Sequence, residues 1–248
     1  MRRRFALLVP FACASLAVLP ASVAAAAGLN FSWGDCGTFG AVNKSFACTS
    51  NTLAGAIMVG SFVPPAGTTS VTGEEIVVDL QSASPTVPPW WKFKYVGACR
   101  QTSLATSADF TSNVNCVDYW QGLAVGTSVT YVTPYHFTAS RARLVIINAL
   151  APADAGPLST GSEYYAFKVS LAGQKTVGTG ACAGCLDPVC LVLNQIKITQ
   201  PAGVGDFYVT ATVQRNYVTW QGGVVATGCP VATPTHNATW GALKALYR

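Results

Sequence analysis

Short segments of alternating apolar and polar residues, separated by turn residues, recur along the chain. Residues 75–81 read Glu-Ile-Val-Val-Asp-Leu-Gln and place Ile76, Val78 and Leu80 on one face of a strand. Residues 206–213 are patterned in the same way, with Phe207, Val209, Ala211 and Val213 inward and Tyr208, Thr210 and Thr212 outward. The same period of two holds for residues 55–63, 91–96, 128–133, 141–150, 163–171, 191–199 and 217–220. Stretches rich in proline at 63–67, 84–89 and 151–157 separate them, and these prolines have no N–H to give a ladder. Helical period is nearly absent. It surfaces only at 240–248, where Leu243, Leu246 and Tyr247 stand at i, i+3 and i+4 behind a Thr-Pro-Thr spacer.

Nine or ten half-buried strands predict an all-β chain built as an antiparallel β-sandwich, immunoglobulin-like or jelly-roll, with a closed β-barrel as the alternative. No repeat of fixed period appears. The expected organisation is a leader over 1–27, one sandwich domain over 28–230, and a linker with a short, helix-compatible tail over 231–248.

The leader changes the picture most. Arg2, Arg3 and Arg4 precede an uncharged apolar run over 5–23, and small residues at 21–27 offer several cleavage registers. That order predicts a secretory signal peptide that is removed. A retained signal anchor is the alternative, against which Pro10, Pro20 and the small-residue tail argue. Cys13 lies inside the leader without a lipobox before it and leaves with it. The expected location is therefore secreted, extracellular or at the cell surface, with the periplasm also compatible. Charged residues make up 10% of the chain, and fifteen basic side chains less the three in the leader leave twelve against ten acidic ones. That balance excludes a nucleic-acid footprint. No second apolar run is long enough to span a membrane.

Eight cysteines remain, at 36, 48, 99, 116, 182, 185, 190 and 229. An even number in an exported chain predicts disulfides. Cys36 and Cys48 bracket one short polar loop, and Cys99 and Cys116 bracket another, so Cys36–Cys48 and Cys99–Cys116 are the expected pairs. Asp187-Pro188 is good turn chemistry, which predicts Cys185–Cys190 across that turn and leaves Cys182–Cys229. A zinc site and a thioredoxin-like redox centre are the alternatives for the last four. Irregular spacing argues against zinc, and the strand that follows the C-x-x-C argues against redox chemistry. No metal and no cofactor are expected.

Candidate catalytic groups are few. The two histidines, His136 and His236, lie in a loop and in the C-terminal linker, and no G-x-S-x-G elbow is present. Glu74 and Glu75 are neighbours that a strand would point to opposite faces. Asp118 and Glu163 are the acids a hydrolase would have to bring together in the fold. Aromatic residues point instead to binding. Strand parity over 91–96 groups Trp91, Phe93 and Tyr95 on one face, and Trp90 with Lys92 and Lys94 on the other. Lysines avoid cores, so Trp90 is expected to be exposed beside them as a platform for a sugar ring or an anionic polymer. The competing reading has Trp90 capping the sandwich end beneath the proline loop. Trp33, Trp120 and Trp220 read as core or loop anchors, and Tyr164 with Lys168 as a weaker outward pair.

The sequence thus predicts a secreted, non-catalytic β-sandwich with a binding, adhesive or structural role at the cell envelope or outside the cell. A carbohydrate-binding module using exposed aromatics is one alternative, and a secreted hydrolase whose acids converge only in the fold is another. The partner classes are polysaccharide or an envelope component, and the oligomeric state is left open.

Overall fold

Eleven strands form among residues 26–111, 115–224 and 229, which the computed structural model describes. They are β1 (Gly28–Trp33), β2 (Asn43–Lys44), β3 (Ile57–Val63), β4 (Gly73–Ser82), β5 (Leu104–Ser107), β6 (Ala124–Val132), β7 (Arg141–Leu150), β8 (Tyr164–Leu171), β9 (Val189–Thr199), β10 (Phe207–Val209) and β11 (Tyr217–Trp220). Residues 1–25 of the expected leader and the whole expected tail at 231–248 lie outside the described residues.

The strands make two sheets. The small one has the order β1-β3-β8-β5, and the large one has β2-β11-β9-β4-β7-β6 with β10 beside the second half of β9. All pairings are antiparallel except β11 with β2. One apolar interior joins the inner faces: Leu29, Phe31, Met58, Phe62, Phe167 and Val169 from the small sheet meet Ile76, Val78, Leu80, Leu144, Leu191 and Leu193 from the large one. The fold is a β-sandwich with two separate sheets, not a closed barrel.

Alternation places these residues, as the buried Ile76, Val78 and Leu80 of β4 illustrate. Gly60 sits where the Phe167 ring crosses β3, and a Cβ there would fall within 2.0 Å of that ring. The β3–β8 register shifts just past that close approach, between Gly60 and Ser61.

Three expectations fail in instructive places. Residues 91–96 are not a strand: Pro88-Pro89 starts a 3-10 turn over Pro89–Trp91, and Lys94 takes the left-handed conformation at φ 67°. Strand parity therefore has no meaning there. The strand expected over 206–213 stops at Val209, and the chain then crosses to the small sheet, where Ala211 and Val213 hydrogen-bond Leu29 and Arg215 bonds Phe31. Ala211 is exposed as a result. Tyr164 is buried against the main core, so it does not share an outward face with Lys168. The short strands β1, β2 and β5 carried too few residues, or lay too close to the leader, to stand out.

All four cysteine pairs differ from those expected. The bonds are Cys36–Cys116, Cys48–Cys185, Cys99–Cys182 and Cys190–Cys229, with sequence separations of 80, 137, 83 and 39. Topology explains the difference. Strand β5 lies between Cys99 and Cys116 and carries the chain from the loop end towards the outer face of the small sheet, where Cys116 meets Cys36. Cys190 is already inside β9, beside β11, and so it takes Cys229, which follows that strand. Cys48, Cys99, Cys182 and Cys185 are left to tie loop to loop.

Candidate functional site

The loops that follow β1, β4, β6 and β8 gather at one end of the sandwich. Strand register puts them there: Trp33 pairs with Met58, Leu104 with Leu171, Ser82 with Val189, and Val132 with Arg143. Loop 34–56 is bonded to loop 172–188 by Cys48–Cys185, and loop 83–103 to the same loop by Cys99–Cys182. Cys190–Cys229 closes the chain leaving β11 onto the same end. Closing loops of this length stabilises by about 4 to 5 kcal/mol each on the chain-entropy model.

Inside the staples lies an aromatic cluster. Trp90, Trp91, Phe93, Trp220 and Trp33 are all buried, and Phe46 stacks on Trp220 with centroids 4.2 Å apart. Trp90 packs against Trp91 at 5.1 Å and Trp220 at 5.0 Å. Its indole N–H donates to Thr176 Oγ1 at 3.1 Å, while Trp220 donates to the Cys185 carbonyl at 2.7 Å. The Trp91 indole N–H is buried without a partner. The Arg100 guanidinium lies 3.5 Å over the Trp90 ring and donates to the carbonyls of Trp90, Ala172 and Gln174. Burial lowers its pKa to about 9, so it keeps its charge at neutral pH.

This arrangement overturns the expected ligand platform. Trp90 is 0% exposed and packs against Arg100 and Trp220. It caps the sandwich end beneath the proline loop instead of presenting a face to solvent. Lys92 and Lys94 are half-buried on the same loop and do not share a strand face with it. Three large apolar side chains are exposed on the loops of this end. Phe137 at the tip of the β6–β7 hairpin is 106% exposed, Val96 on loop 83–103 is 92% exposed, and Leu186 on loop 172–188 is 64% exposed. These loops touch: the Val87 N–H donates to Ala139, Trp90 to Ala183, and Ser84 Oγ to Asp187. Sequence parity does not reveal Phe137, Val96 or Leu186, because each sits at a loop tip.

The fold brings the segments of Asp118 and Glu163 side by side, since the Val117 N–H donates to the Glu163 carbonyl at 3.3 Å, and both carboxylates accept hydrogen bonds from the fold. Asp118 accepts from the backbone of Trp120 and Gln121 and caps a turn. Glu163 accepts from Asn30 Nδ2 and Ser61 Oγ, both at 2.6 Å, on the outer face of the small sheet. Asp35 nearby accepts the Tyr165 hydroxyl at 2.5 Å, and burial with this bond pushes the Tyr165 pKa upward. Cys36, Cys116 and Glu163 form a cluster of metal-ligand type, but the two sulfurs are bonded to each other and offer no thiolate. His136 is exposed, with its ring against Tyr135 at 4.5 Å. His236 lies outside the described residues. Glu74 points into the core, as its parity with Ile76 requires, and both of its carboxyl oxygens are buried without a partner.

No protein-family model matches the chain, and no curated protein is similar to it in sequence. No helix among the described residues is long and apolar enough to cross a membrane.

Proposed function

We propose that this is an exported, non-catalytic binding protein of the cell exterior, whose stapled loop end contacts the partner. One observation carries the reading: exposed apolar side chains stand on three loops of one end, Val96 and Leu186 on two loops joined by a disulfide and Phe137 on a hairpin hydrogen-bonded to them through Val87 and Ala139. Loops held by a stiff scaffold are where binding residues concentrate. Apolar groups left in water there cost solubility unless something covers them. Lys92 and Lys94 flank this surface on loop 83–103 and would add charge attraction to an anionic partner.

A polysaccharide partner is favoured by the hairpin tip, where Tyr135, His136 and Phe137 stand in a row and Arg143 stacks on Tyr135 at 4.0 Å. The test is retention of the purified protein on peptidoglycan, cellulose, chitin and a glycan array. The variant Phe137→Ser/Val96→Ser/Leu186→Ser is run beside it. Retention of the wild type on at least one surface, lost in the triple variant, supports the reading. Equal retention of both overturns the assignment to the loop end, and release of reducing sugar from any surface restores the hydrolase.

A further inference from the structure

The long edges of the two sheets are treated very differently. The free side of β1 is covered, since Leu29, Phe31 and Trp33 exchange backbone hydrogen bonds with Ala211, Val213, Arg215 and Ala41. The outer strand β5 is four residues long, and the far edge of the large sheet is β2, with two. Strand β6 is nine residues long, and among the described residues no strand pairs with its outer side. Natural sandwiches guard such an edge with lysine, proline or a bulge. Residues 126–133 of this edge read Gly-Thr-Ser-Val-Thr-Tyr-Val-Thr, with no charge and no proline, and the register shift of the β6–β7 pair comes before them, between Ala124 and Gly126. Ser128, Thr130 and Val132 are exposed on its outward face, and Ile147 beside them on β7 is 47% exposed.

We propose that β6 pairs antiparallel with β6 of a second copy, about a two-fold axis through Thr130, to make a symmetric dimer with one continuous large sheet. The edge itself argues for a second copy. It carries no charge to repel its own image, and its Thr, Ser, Val and Tyr side chains can each face one another across a two-fold axis without repulsion. With the axis at Thr130, Tyr131 faces Val129 of the second copy on the inner side, and Val132 faces Ser128 on the outer side. The aromatic–aliphatic inner pair extends the core contact that Tyr131 already makes with Phe93 at 5.7 Å. Because the paired strands run in opposite directions, the two stapled loop ends point away from each other. The dimer is a bridge, able to hold two partner surfaces at once and to gain avidity from both.

Sedimentation and light scattering of the mature protein, up to roughly 100 μM, where even weak interfaces associate, read the state directly. The expected result is a dimer, with amide exchange slowing over residues 126–132 as concentration rises. Thr130→Lys and Thr130→Glu are each expected to be monomeric, with thermal midpoints close to the wild type because the side chain is exposed. Mixing the two variants restores the dimer, since opposite charges then face each other across the axis. A wild type that stays monomeric, variants that dimerise as well as the wild type, or a mixture that fails to recover overturns the proposal. A monomer whose β6 amides are already protected assigns the edge to the chain's own residues 231–248 instead. None of these outcomes bears on binding by the loop end, which is read by polysaccharide retention.

Discussion

The two ends of the sandwich hold their loops together with different chemistry. At the end carrying Phe137, Val96 and Leu186, disulfides tie loop 172–188 to its neighbours, and buried indoles fill the space beneath. At the opposite end, loops 64–72 and 151–158 are joined by backbone hydrogen bonds between Val71 and Gly156 and between Leu158 and Thr68. The Tyr119 hydroxyl bridges Val71 and Gly156 at 3.2 Å each. The first end is tied by covalent bonds and filled with buried aromatic rings. The second encloses Glu74, an acid with no partner for either oxygen. A surface that must hold an apolar binding face needs the first kind of support, because hydrogen-bonded loops open locally at little cost. The contrast fits the proposed placement of the binding surface at the stapled end.

The largest effect should come from cutting the staples. Replacing Cys99 and Cys182 by serine is expected to cost about 4 kcal/mol or more in chemical denaturation. It should also raise amide exchange across loops 83–103 and 172–188 before the strands are affected. A loss confined to global stability, with no local opening, would mean that the staples do not hold the binding loops.

Trp90→Ala comes next. A fully buried indole replaced by a methyl group is expected to cost about 3 to 5 kcal/mol. The Arg100 guanidinium would also lose the ring it covers at 3.5 Å. Unfolding measured by circular dichroism reads this directly, and a loss below about 1 kcal/mol would place Trp90 outside the core.

What the sequence could and could not carry follows the same division. Arg141–Leu150, ten residues with one face buried, and the short Tyr217–Trp220 form at the expected bounds. β4 and β9 start or end within two residues of expectation. Parity failed where adjacent residues are both buried. Trp90 and Trp91 cannot both face a core from a strand, but a 3-10 turn lets them. Cysteine pairing failed because sequence distance was read as spatial distance. Loops from different strands meet at one end of a sandwich, so Cys48 finds Cys185 across 137 residues. The apolar loop tips carry no periodic signal and were not visible at all.

Glu74 sharpens the comparison from the other end. Burial raises its pKa well above the usual carboxylate range and outweighs the cross-strand Asn148 side chain, which favours the ionised form. A proton on Glu74 removes the buried charge. The folded state therefore holds this proton more tightly than the unfolded chain. Its contribution is full below the unfolded value of about 4.3 and declines as pH rises through that value towards the raised folded one. Glu74→Gln keeps the shape without the titration. The variant should match the wild type near pH 4 and exceed its thermal midpoint by a few degrees near pH 7. A difference independent of pH would show that Glu74 is ionised in the fold.

The smallest expected effect separates stability from binding at the stapled end itself. Lys92 and Lys94 are half-exposed on the loop whose inner side carries Trp90, and neither is part of an ion pair among the described residues. Lys94 holds a left-handed conformation, so its backbone strain remains whichever non-glycine side chain it carries. The chain around it is fixed by Arg100 and by the Cys99–Cys182 bond, not by the two amines. Lys92→Ala/Lys94→Ala is therefore expected to change unfolding by no more than about 0.5 kcal/mol. If the partner is anionic, the same variant should weaken retention most at low salt, because screening already removes the attraction of exposed charges at high salt. A binding loss that is equal at all salt concentrations would assign recognition to the apolar tips alone. A large loss of stability would mean that the lysines brace the loop, and the stapled end would then owe part of its rigidity to charge as well as to sulfur and indole.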